Sequence, residues 1–148
     1  MTQWQGFLLV FMALYSLIAA IKGYSQTKIK NNPYGLAPWF NLLSIYVWAD
    51  AVIFGVFFFL ISVAALFLRD FILFLLIFSL FWTVRSIGES IYWFLEQFAV
   101  NHRNPEHTLW LSRWFPRNSS WIANQILHQC ITVIGIIASV YLFKLWLI

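Results

Sequence analysis

Residues 56–84 read VFFFLISVAALFLRDFILFLLIFSLFWTV. Two uncharged apolar runs meet there at a single polar pair, Arg69-Asp70, and both runs extend well past the quoted stretch. The upstream run reaches back to about residue 39, and the downstream run continues to about residue 99. One unbroken helix of that length would measure roughly 90 Å at 1.5 Å per residue, about three times the hydrocarbon core of a bilayer. The pattern therefore predicts a helical hairpin with spans 39–68 and 71–99 turning at Arg69-Asp70, although neither Gly nor Pro marks the turn.

The flanking sequence supplies two more spans. Residues 4–22 are uncharged up to Lys22 and just long enough to cross a membrane, and residues 121–144 are uncharged up to Lys144. No basic stretch precedes the first run, so it reads as a retained span and not as a cleaved leader. Asn31-Asn32-Pro33-Tyr34-Gly35 is turn chemistry, and Pro38 suits the first turn of the second helix. Between the third and fourth spans, Asn104-Pro105-Glu106 resembles a helix start. The aromatic and basic residues that follow predict a short helix lying at the membrane surface.

Composition agrees with this reading. Of the 148 residues, 62% are hydrophobic and 9% charged, against roughly 45–50% and 25% in soluble domains. So little polar surface cannot cover a soluble fold. The expected architecture is an all-α, up-and-down four-helix transmembrane bundle. It forms a single domain over 1–148, with the hairpin of helices two and three at its centre.

The net charge of +4 does not point to nucleic acid, because the basic residues sit in short connections. Lys22, Lys28, Lys30, Arg103, Arg113 and Arg117 flank the two longer connections, against Arg69 and Lys144 on the other side. That bias predicts a multi-pass protein of a cytoplasmic or organellar inner membrane with both termini on the non-cytoplasmic side. Cys130 is the only cysteine, so no internal disulfide can form and it reads as a buried small apolar residue.

Charges inside the spans are the candidate site. An unpaired charge at the bilayer centre costs about 2.5–3.5 kcal/mol on insertion scales, so Asp50, Arg85, Glu89 and Glu96 should face protein. Reflection through the Arg69-Asp70 turn puts Asp50 level with Glu89. Arg85 and Glu89 are four residues apart on one helix face. Gly88 on the same stripe would allow close helix approach, and Glu96 would reach the headgroups. On the fourth span, Gln125, His128, Gln129, Thr132, Gly135 and Ser139 recur at helical spacing and should face the third span.

These residues admit an ionic staple that ties helices together, or a channel or transporter component in which the Asp50, Arg85, Glu89 and His128 cluster handles a cation or protons. The alternative is a non-catalytic structural subunit or assembly factor of a larger membrane complex. An enzyme is the least supported reading: there is no phosphate loop, nucleophile elbow or His-Glu-x-x-His. His102, Glu106 and His107 read as solvated loop residues and not as a metal site, and a lone intramembrane His128 leaves a haem only one axial ligand. No cofactor is expected. The expected partners are the lipid bilayer and further copies of the chain or other membrane subunits.

Overall fold

In the computed structural model, which describes residues 1–102, 104, 109–115 and 119–148, four α-helices dominate. They are α1 (Gln3–Tyr24), α2 (Trp48–Leu68), α3 (Phe71–Glu96) and α4 (Ser119–Trp146). Each is long and apolar enough to cross a membrane. Among the described residues there is no strand, only an isolated bridge between Leu36 and Val47. Contacts divide the chain into two units, Met1–Ile77 and Phe78–Ile148, with α3 beginning in the first and running through the second.

In the first unit, α1 and α2 pack antiparallel through small side chains. The buried face of α1 carries Ala13, Ser16, Ala19, Ala20 and Gly23, and that of α2 carries Ala51, Gly55, Ser62 and Ala65. Both rows repeat at three- and four-residue steps, which keeps them on one side of each helix. A Cβ on Gly55 would lie 2.7 Å from the Ala20 nitrogen, and one on Gly23 would lie 2.9 Å from the Trp48 carbonyl oxygen. Only hydrogen fits at either place. Such close backbone approach maximises dispersion contact between the two helices.

The second helix starts at Trp48 and not at 39. α1 ends in a π-turn, Ser25–Ile29, and the chain reverses through Asn31 at φ 49°. A short 3₁₀ segment, Pro38–Leu43, then folds back along α1 and stops at Ser44, which is left-handed at φ 54°. The Tyr15 hydroxyl donates to the Trp39 carbonyl, and the Phe40 ring packs 5.4 Å from the Tyr15 ring. Tyr15 precedes Tyr24 at the end of α1 by roughly 13 Å of helix. Residues 39–47 are apolar because Phe40, Leu43 and Ile45 fill this fold-back, at 3%, 0% and 0% exposure. Their backbone groups are satisfied locally: Ala37 N–H donates to Tyr46 O at 2.9 Å and Ala49 N–H to Pro33 O at 2.9 Å.

The α2–α3 turn uses neither Gly nor Pro. Arg69 takes a left-handed conformation at φ 54°, and the Asp70 carboxylate accepts the Leu73 N–H at 2.9 Å, capping α3. The third helix ends at Glu96, close to the expected 99. Of the expected surface helix, the described part is a single 3₁₀ turn, Trp110–Arg113. Pro105, Glu106 and His107 lie outside the described residues, as do Arg103 and Arg117.

Candidate functional site

The second unit is built on a polar seam between α3 and α4. Ser79, Thr83, Ser86, Ser90 and Trp93 on α3, and Gln97 in the turn just after it, recur at alternating four- and three-residue steps. Opposite them α4 presents Ser139, Gly135, Thr132, His128 and Gln125. Ser79 donates to the Gly135 carbonyl at 3.0 Å and accepts from the Ser139 hydroxyl at 3.0 Å. A Cβ on Gly135 would collide with the Thr83 hydroxyl, so the backbones approach closely there. At the other end of the seam the Gln97 amide donates to Gln125 Oε1 at 2.7 Å.

Three other seam hydroxyls turn back on their own helix, while the buried Ser86 hydroxyl has no hydrogen-bond partner among the described residues. Thr83 donates to Ser79 O at 2.9 Å, Ser90 to Ser86 O at 2.8 Å and Thr132 to His128 O at 2.9 Å. This back-bonding to the preceding turn satisfies a hydroxyl without a partner on the facing helix. His128 is buried in the seam at 7% exposure.

The charged stripe lies beside the seam. Arg85 Nη2 and Glu89 Oε1 are 2.9 Å apart, with side chains 25% and 13% exposed, so the pair joins successive turns of α3. Gly88 does not serve close approach: a Cβ there meets nothing within 4 Å. The close-approach glycines are Gly23, Gly55 and Gly135. Asp50 belongs to the first unit, half-buried in the first turn of α2, where a carboxylate complements the positive end of the helix. Gln129 is exposed, unlike His128 beside it, and Cys130, expected to be buried, is exposed as well because it lies on the outer side of α4.

Glu96 departs most from expectation. Instead of reaching outward it is 5% exposed and organises the chain after α3. Its carboxylate accepts the Asn104 N–H at 2.9 Å and lies 3.9 Å from His102 Nδ1. Asn104 in turn donates to the Tyr92 hydroxyl at 2.6 Å and accepts from Trp121 Nε1 at 3.0 Å. The His102 ring, read from the sequence as solvated, lies on Trp121 with centroids 4.2 Å apart. Tyr92, Glu96, His102, Asn104 and Trp121 thus knot the end of α3 to the start of α4. The sequence signal was a lone acid one turn beyond Tyr92 and an Asn shortly after, which has no fixed spacing to recognise.

Among the described residues no three His, Cys, Asp or Glu side chains converge as a metal set. The chain matches no family model, no curated protein and no solved structure.

Proposed function

We propose that this chain is a multi-pass membrane protein acting as a non-catalytic structural subunit or assembly factor of a larger membrane complex. In that role its intramembrane polar side chains fasten helices to one another. One observation carries the reading. Polar side chains of the α3–α4 seam bond across to the facing helix, Ser79 with Gly135 and Ser139 and Gln97 with Gln125. In lipid such bonds hold helices together without needing a substrate.

In the full proposal the four helices form one up-and-down transmembrane bundle with the α2–α3 hairpin at its centre. Both longer connections face the cytoplasm or matrix, following the basic bias. Asp50 joins Arg85 and Glu89 at a shared depth as an ionic staple. Purification in mild detergent from native membranes tests the assembly role. Reproducible stoichiometric partner chains are the expected result, and a chain that always purifies alone overturns it.

A second reading has its own observation in the burial of His128, an ionisable side chain, on α4. Asp50, Arg85, Glu89 and His128 would then move a cation or protons as a channel or transporter component. This reading requires pH-dependent flux in proteoliposomes that Glu89→Gln abolishes while the protein stays folded. Absence of flux from folded, inserted protein rejects it.

A further inference from the structure

α4 is the least covered of the four helices, and its exposed side is patterned. Ile122, Ile126, Gln129, Val133, Ile136 and Val140 follow one another at steps of four and three residues, and all six are exposed. The neighbouring exposed row, Leu127, Cys130, Ile134, Ile137 and Tyr141, has the same spacing but no amide. A row of β-branched side chains at this spacing can close a left-handed helix pair. Shallow hollows flank Gln129 and Val133 on both sides, the form that receives knobs from a facing helix.

Gln129 is the informative member. It lies near the middle of α4, and among the described residues its amide makes no hydrogen bond. An amide facing hydrocarbon without a partner is costly, so another polar group at that depth is strongly favoured. Copies of one chain insert in the same orientation, so their α4 helices run parallel and bring identical residues to the same level. Glutamine carries both a donor and an acceptor, and it can pair with itself across a two-fold axis. Lipid tails offer no such partner.

We propose that α4 is a self-association seam between parallel copies of this chain, closed along Ile122, Ile126, Gln129, Val133, Ile136 and Val140 with Gln129 hydrogen-bonded to its own counterpart. The inference rests on the membrane placement proposed above, but not on the assembly or transport role.

The test uses single cysteines in a Cys130→Ser background, oxidised in native membranes. Val133→Cys and Ile136→Cys should form disulfide-linked dimers, whereas Ile134→Cys and Tyr141→Cys, on the adjacent exposed face, should not. Equal yields at all four positions, or none at any, overturn the seam. In liposomes, energy transfer between labelled copies should show Gln129→Leu associating about five- to thirty-fold more weakly than the parent. Undiminished association overturns the role of Gln129. Alkaline carbonate extraction separates the two levels. Protein released from the membrane refutes the membrane placement itself, and protein retained without cross-links refutes the seam alone.

Discussion

Adding one methyl group to Gly55 should force α1 and α2 apart. The new Cβ would lie 2.7 Å from the Ala20 nitrogen, 2.8 Å from the Ser16 carbonyl oxygen and 3.0 Å from Ala20 Cα. All three are backbone atoms and cannot rotate away. Comfortable contact lies near 3.5–4.0 Å, so the helices must separate by roughly 1 Å, a gap that forfeits a quarter to a half of the dispersion at the interface. Overpacking of this kind costs about 1–3 kcal/mol. Alanine also gains about 1 kcal/mol of helix propensity over glycine, which would mask part of the loss. Gly88→Ala removes that ambiguity, because it makes the same change in a helix where the methyl meets nothing within 4 Å. The difference between the two variants isolates the clash. In reversible unfolding by SDS in mixed micelles, followed by tryptophan fluorescence, Gly88→Ala should match or exceed the parent. Gly55→Ala should unfold about 1–3 kcal/mol more easily than Gly88→Ala. Coincident unfolding curves for the two variants would refute the close-packing argument.

Three further outcomes follow from named contacts. Asp70→Ala removes the cap on Leu73 and should destabilise the protein by about 0.5–2 kcal/mol, with Asp70→Asn close to the parent; equal losses in the same unfolding assay would count against capping. Glu89→Gln should lower stability by about 1–3 kcal/mol by weakening the Arg85–Glu89 pair, and adding Arg85→Leu should cost less than the sum of the two single changes; strictly additive losses would show that the 2.9 Å pair does not couple. Glu96→Ala should release Asn104, seen as faster hydrogen exchange at its amide and a red shift of Trp121 emission, whereas Glu96→Gln, which keeps an acceptor, should preserve most of the protection.

The apolar runs announced the helices because 21 to 28 residues of mostly apolar sequence, with few charges, are long and apolar enough for a spanning helix. The turn at Arg69-Asp70 was also readable, but its signal was the capping Asp70 and not a helix breaker. Residues 39–47 misled for a physical reason. A segment buried by folding back beside Tyr15 is as apolar as a span, and only Asn41 and the left-handed Ser44 betray that it is not helical. The α1–α2 face was present as small residues at helical spacing, from Ser16, Ala20 and Gly23 to Ala51 and Gly55, but conspicuous charges elsewhere drew the reading away from it. The knot around Glu96 depends on a chain reversal through His102 and Asn104 that no periodicity encodes.

The fold-back between α1 and α2 has a practical side for anyone mapping this protein's sidedness. An aqueous loop would be the natural place for an epitope or a reporter fusion, and 33–47 resembles one by its Pro and Gly content. Here that stretch is a wedge, with Tyr15 gripping Trp39 and with Leu43 and Ile45 fully enclosed. A tag spliced into it would unseat the wedge and report on a damaged molecule. The exposed residues just before it, Lys30 to Asn32, are the safer point of entry.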